Sequence, residues 1–327
     1  MNVATRSAAP ILPPLEHALP NGDPPVRPLA LAAVAVTVMT WGVSNIVVKA
    51  IAADPLVSSF YRLWLAIPLL WSLPLLLPRL RSRLTRDWLV TSAVGGALFA
   101  VHQIFFFNSL KLTSVADVTL IGALQPALVL LVAGRLFGEP VDRRAGLWSA
   151  VAVAGTALVI LGSMGAPHWT PLGDVLSVFN LLAFTAYFLA SKRFRGRVGA
   201  TEYVIGMTTV AGVLMLAVVV ATGRDLLSPH GRDWPLLLFL ALFPGSLGHL
   251  LSNWAHPHMP AFLLSVLLLA VPVIAVAGAA MLLGEHFTLL QAAGATILLG
   301  AIWTILRSAG PRTAEDLAES AAETDAP

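Results

Sequence analysis

Stretches free of Asp, Glu, Lys and Arg run over residues 28–48, 63–78, 88–110, 118–134, 145–173, 175–191, 203–223, 234–284 and 286–306. Within them apolar residues follow one another without the strict alternation that a membrane barrel strand requires. A helix crosses the hydrocarbon of a bilayer in roughly 20 residues, so each stretch reads as about one crossing. The window 234–284 is 51 residues long and too long for one. His256-Pro257-His258-Met259-Pro260 divides it where the backbone must turn. The pattern therefore predicts ten helices, over 29–51, 57–77, 88–110, 115–137, 145–162, 172–192, 203–222, 234–256, 261–283 and 290–306.

Composition agrees with lipid as the solvent. The chain is 57% hydrophobic and 11% charged, with a mean hydropathy of +0.82, where a soluble domain carries about a quarter charged residues. The net charge of +3 does not point to nucleic acid, because the basic residues fall in short clusters between apolar runs. Fifteen of the 20 basic residues lie on the side of both termini, Lys49, Lys111, Arg224 and Arg232 on the other, and Arg62 inside a span. The positive-inside rule then places both termini in the cytosol of a multi-pass inner-membrane protein. Residues 1–28, with seven prolines, read as a disordered cytosolic leader, and the acidic, alanine-rich residues 307–327 as a disordered tail.

The two halves repeat. Leu136-Phe137-Gly138-Glu139 recurs as Leu282-Leu283-Gly284-Glu285, 146 residues later, and the same shift carries Pro126 onto Pro272. A shift of 143 sets Trp41, Ser44 and Lys49 over Phe184, Tyr187 and Lys192. One repeat spans 29–163 and the other 172–306. Each holds five helices, an odd number, so the second enters the membrane from the opposite side and the repeats are inverted.

Taken in order, Trp41-Gly42-Val43-Ser44-Asn45 with Lys49, Arg62 in the second span, Gly138-Glu139, Phe243-Pro244, Asn253-Trp254-Ala255, Pro272 and Gly284-Glu285 resemble the drug/metabolite transporter superfamily, in its ten-helix branch with two EamA domains. The resemblance covers nearly all of 29–306. It implies a secondary transporter or facilitator, an exporter of a small polar metabolite such as an amino acid or organic acid, working by alternating access. It names no solute and leaves uptake by the same fold open. Phe184 stands where the family commonly has a tryptophan, and His256 and His258 replace a basic residue in the loop after the eighth span.

Intramembrane polar and aromatic groups supply the candidate site. Trp41 lies near mid-span rather than in an interfacial belt, where it can stack on a solute or fill space between helices. Asn45 and Tyr187 follow as polar groups that seldom face lipid. The shift of 146 sets Gln103 on His249, so His102 and Gln103 share a depth with His249 and Asn253, either as interhelical hydrogen bonds or as solute contacts. Arg62 carries a charge within a span. It either snorkels to lipid phosphate or Asp54, or turns inward to grip an anionic group with its planar fork. Pro126 and Pro272 are candidate hinges. Lys49 suits the negative end of its helix, Gly138 and Gly284 read as helix caps, and Asp117 and Glu202, near span ends, read as solvated. The stripes Gly146-Ala150-Ala154 and Ala292-Thr296-Gly300 make the fifth and tenth helices packing elements, within one chain or in a homodimer.

Other classes fit poorly. The chain has no cysteine and no phosphate-binding loop, His-Glu-x-x-His or Gly-x-Ser-x-Gly, so an ATP-driven pump or an intramembrane enzyme lacks its motif. A receptor has no need of inverted repeats. No cofactor and no metal are called for.

Overall fold

The computed structural model describes residues 28–77, 85–137, 143–164, 169–194, 197–259 and 261–304. Among the described residues the apolar helical segments are α1 (Pro28–Ala50), α2 (Pro55–Leu76), α3 (Arg86–Leu112), α4, α5 (Arg143–Ser163), α6 (Pro171–Phe194), α7 (Ala200–Ala221), α8 and α9, nine long enough to cross a membrane, and the shorter α10 (Leu289–Thr304). Three are not continuous. The fourth is α4a (Val115–Gly122) followed by α4b (Gln125–Phe137), and the ninth is α9a (Ala261–Leu267) followed by α9b (Ala270–Leu283). The eighth, α8, runs from Asp233 through a π-helical stretch, Ala241–Gly248, to Ala255 and a final 3-10 turn, His256–His258.

Side-chain caps start the helices. Asp54 accepts from Leu56 N and Val57 N ahead of Pro55 in α2, Thr85 caps α3 and Ser114 caps α4a, each meeting an amide that has no partner inside its helix. Gly284 ends α9b at φ +67°, the left-handed cap that glycine adopts without a Cβ penalty. Gly138-Glu139 lies outside the described residues.

The breaks in α4 and α9 correspond to within one residue under the shift of 146. At the first, Leu124 N donates to Ile121 O (3.1 Å), and at the second Leu269 N donates to Val266 O (2.9 Å). In both, the ladder tightens from four residues to three for one turn. Pro126 and Pro272 follow within the first turn of α4b and α9b, where a missing N–H removes no hydrogen bond from the new half-helix. In α8, Pro244 has no N–H for the ordinary ladder, and Ser246 Oγ reaches Ala241 O (2.7 Å) across the widened turns.

Helix α3 packs between α6 and α7, α2 lies on α7, and α1 lies on α9b. Helices α5 and α10 meet at two glycines: a Cβ on Gly155 would stand 2.8 Å from Gly294 O, and one on Gly294 would stand 2.6 Å from Gly155 O. The expected stripes are not this contact. Cβ atoms on Gly146 and Gly300 would meet nothing within 4 Å, because the buried face of α5 is turned one residue on, at Ala152, Gly155, Thr156 and Val159.

Polar side chains lace the end of the bundle where α1, α3 and α9b finish. Lys49 donates to Thr113 O and pairs with Glu285 at 3.7 Å. Glu285 in turn accepts from Val115 N at 2.9 Å, so the residue after α9b holds the start of α4a. Lys111 donates to Lys49 O and Ile51 O, and Asp233 accepts from Ala52 N. Asp117 is not solvated as its place near a span end implied. It is fully buried and accepts from Ser114 and Ser163, because the α3–α4a turn tucks beneath α5 and α6. Glu202 caps α7 through Gly199 N (3.1 Å), at an exposed position. At the opposite end Lys192 donates to Met259 O (2.9 Å) and His256 O (3.1 Å). Lys192 and Met259 are the repeat mates of Lys49 and Thr113, so each half tethers its first helix in the same way.

Candidate functional site

Mid-bundle, α1, α2, α3, α4, α6, α8 and α9 enclose a cavity of about 130 Å³. Among the described residues, none of α5, α7 or α10 lines its wall. Its lining includes Trp41, Asn45, Arg62, His102, Gln103, His249 and Pro272 from the sequence reading. Tyr187 and Asn253 sit behind His249, and Pro126 lies off the wall. The lining also includes Ser44, Phe106, Gln125, Asn180, Phe184 and Ser265, which sequence reasoning did not put forward as site residues. Asn180 was detectable as a mid-span amide, and Gln125 as the polar neighbour of Pro126.

Arg62 is the sole formal charge on the wall among the described residues, and no carboxylate lines the cavity. Its side chain is turned inward, 5% exposed. Asp54 is not its partner, being engaged by Arg224 at 3.2 Å and by the first amides of α2. Arg62 Nη1 donates to Gln103 Oε1, and Nη2 lies 3.3 Å from His249 Nε2. Gln103 and His249 are repeat mates, so the guanidinium stands where the two halves present equivalent positions. Phe99 packs beneath it, 5.7 Å from ring centre to Cζ.

Hydrogen-bond roles follow from the arginine. A guanidinium only donates, so His249 Nε2 accepts and the ring proton sits on Nδ1, directed at Tyr187 Oη 3.2 Å away. Asn253 Nδ2 donates to the same hydroxyl oxygen at 3.1 Å and to His249 O at 2.9 Å. Tyr187 and Asn253 thereby fix the tautomer and tilt of His249 from behind. On the other side His102 Nδ1 donates to Asn180 Oδ1 at 2.7 Å, which leaves Nε2 as an acceptor.

The aromatic part of the wall is also built from repeat mates. The Trp41 and Phe184 rings meet edge to face at 5.8 Å, Trp41 lies 4.9 Å from the His249 ring, and Phe184 lies 5.0 Å from His102. The π-helical stretch makes this approach feasible. Trp41 Nε1 donates to Pro244 O (3.3 Å), and a Cβ on Gly248 would fall 2.6 Å from that nitrogen, so only glycine lets the indole rest against α8.

Such a site can hold a small amphipathic solute with a negatively charged group at Arg62 and an apolar body among Trp41, Phe106 and Phe184. Among the described residues no group of three or more His, Asp or Glu side chains could hold a metal ion.

The chain is similar to known proteins in sequence and in fold. The aromatic amino acid exporter YddG of Ancylobacter novellus is 30% identical over 177 residues, which cover 53% of this chain and 59% of that protein. The chain thus spans under two thirds of that relative's length in the match. A solved structure described only as a protein crystal structure superposes with a TM-score of 0.63 at 21% identity, over 84% of this chain and 96% of its own, and at that identity it bears on the fold alone. The sequence profile of the EamA-like transporter family matches twice, over residues 28–161 and 171–307. With most of its length inside those two matches and a buried cavity between the halves, the chain is a membrane transporter belonging to the EamA-like transporter family.

Proposed function

We propose that the protein exports a small carboxylate-bearing metabolite, an amino acid or organic acid, by exposing the mid-bundle cavity alternately to the two sides of the inner membrane. One observation carries the reading: Arg62 is buried in the cavity wall with no carboxylate partner among the described residues. A charge within a span costs at least a few kcal/mol unless paired, and an anionic solute is the partner that relieves it. The guanidinium's five N–H groups outnumber its acceptors, Gln103 and His249, which leaves donors for a carboxylate. The aromatic amino acid exported by the relative supports a solute with an apolar body.

The lacing around Lys49 and Glu285 corresponds to the closed periplasmic end if both termini are cytosolic. Cysteine at Gly223 should then react with an impermeant thiol reagent added to intact cells, while cysteine at Ser82 or Gly196 should not. The function is tested in proteoliposomes by counterflow of labelled amino acids and organic acids. Exchange of carboxylates but not of their amides supports the proposal, and equal exchange of both refutes it.

A further inference from the structure

The cavity wall is made of two lines of repeat mates whose chemistry differs. On α4 the wall residues are Val118, Thr119, Gly122, Ala123 and Gln125, and the shift of 146 carries the last four to Ser265, Leu268, Leu269 and Val271 on α9, all four on the wall beside Pro272. Ser265 keeps the hydroxyl of Thr119, but Gly122, Ala123 and Gln125 give way to the bulkier, apolar Leu268, Leu269 and Val271.

Gln125 stands apart. It is 4% exposed, and its Nε2 is buried with no hydrogen-bond partner among the described residues. Other polar groups of the wall are committed: Ser44 Oγ to Trp41 O (2.8 Å), Asn45 Nδ2 to Trp41 O (2.8 Å) and Thr119 Oγ1 to Val115 O (2.8 Å). A buried amide denied both water and a protein acceptor is destabilising where it stands. Gln125 opens α4b immediately after the break, so its backbone is anchored while its side chain reaches the cavity. A half-turn of the terminal amide about its last bond leaves the shape of the side chain unchanged.

We infer that Gln125 determines specificity: its unpaired amide N–H group is kept for the polar head of the solute, on the α4 side, while the solute's apolar body lies against Leu268, Leu269 and Val271 on the α9 side. The assignment rests on the proposal that Arg62 holds the solute's carboxylate, to which Gln125 adds a second, neutral donor. It fixes which way round the solute sits between two walls that the backbone makes nearly equivalent.

The test uses the full chain in lipid nanodiscs, with 3-phenylpropionate (a carboxylate with an apolar body and no amine) as the probe and melting temperature as the readout. Gln125→Leu removes the amide at similar volume. The solute-free variant should melt at the native temperature or a degree or two above it, and half-saturation by the probe should rise about tenfold, as for loss of one buried hydrogen bond. Gln125→Glu should weaken the probe further, by repulsion of like charges. A lower melting temperature of solute-free Gln125→Leu would reveal a partner inside the protein and overturn the inference, as would native half-saturation in both variants. If neither 3-phenylpropionate nor L-phenylalanine stabilises the native chain, the carboxylate reading fails instead. Gln125 is then judged on the solute-free melting temperature alone, where a fall overturns it and no fall supports it.

Discussion

Helices α4 and α9 are the same device built twice. Both break mid-membrane in one tightened turn, both resume in a half-helix with a proline in its first turn, and both place four equivalent residues on the cavity wall. Yet Gly122 lines the cavity from one and Leu268 from the other, and Gln125 is matched by Val271. In the proposed mechanism, backbone symmetry serves the alternation of access, since two inverted halves can exchange conformations. On the same proposal, side-chain asymmetry serves recognition, with Gln125 toward the solute's polar head and Leu268, Leu269 and Val271 toward its apolar body. Duplication therefore preserved the positions of the breaks while the residues around them diverged.

The comparison breaks most completely at Arg62, the sole formal charge on the cavity wall among the described residues. Arg62→Ala and Arg62→Lys should each reduce transport on the order of a hundredfold, since hydrogen bonds to charged groups are worth about 1.5–3 kcal/mol and lysine lacks the planar fork. Membrane insertion should be normal in both, because the alanine variant removes a buried charge and the lysine variant adds none to the native cost. Counterflow with quantified protein in the liposomes checks both variants. Native rates in the lysine variant would mean that charge alone suffices.

A smaller effect follows from making the walls alike. A Cβ on Gly122 would meet nothing within 4 Å, so Gly122→Leu adds its side chain to open space, reproduces Leu268 and fills part of a cavity of about 130 Å³. The variant should fold with a native melting temperature and lose transport by about tenfold, most for the bulkiest solutes, given that one methylene in a pocket is worth ~1–3 kcal/mol. Uniform loss across solutes of every size would mean that the break, rather than the wall, had been disturbed.

The two helices also meet at their ends, where Glu285 after α9b holds Val115 N at the start of α4a and pairs with Lys49. Glu285→Gln keeps a side-chain acceptor and discards the ion pair. It should change the transport rate only severalfold, in line with a partly buried pair worth about 1 kcal/mol, and should increase thiol labelling of a cysteine placed at Ser114. Unchanged labelling would show that the lacing holds without the charge.

Much of this was legible before any coordinates, for physical reasons that differ from residue to residue. Lipid forces every backbone group to pair within its own segment, so charge-free windows marked α1 to α10 within a few residues. Arg62, Gln103 and His249 were visible because polar groups in such windows must find partners. The exact break points were not, since Pro126 and Pro272 show where a half-helix begins but not that the preceding turn tightens at Leu124 and Leu269. Asp117 was misjudged because distance from a span end says nothing about whether another helix covers it. Gln125 escaped because one amide in an apolar window is unremarkable until its neighbours are known to be satisfied. Tyr187 and Asn253 share the depth of the site yet stand one layer behind it, which depth alone does not resolve.

The smallest expected effect lies at the prolines themselves. Each stands in the first turn of its half-helix, where an amide would have had no intrahelical acceptor, so replacing either by alanine restores no lost bond within α4b or α9b. It does allow the half-helix to extend backward, with the new N–H reaching the carbonyl four residues earlier. For Pro272 that carbonyl belongs to Leu268, which already accepts from Val271 N at 3.0 Å. For Pro126 it belongs to Gly122, on the cavity wall. Healing the break thus competes with an existing turn in α9 and is freer in α4. Pro126→Ala should therefore slow transport by about two- to threefold and raise the melting temperature slightly, in keeping with about 0.5 kcal/mol for a single net hydrogen bond, while Pro272→Ala should change both by less. If the two variants are ranked the other way, the hinge is set by contact of Pro272 with the solute cavity, which it lines and Pro126 does not, rather than by the carbonyls four residues before the prolines.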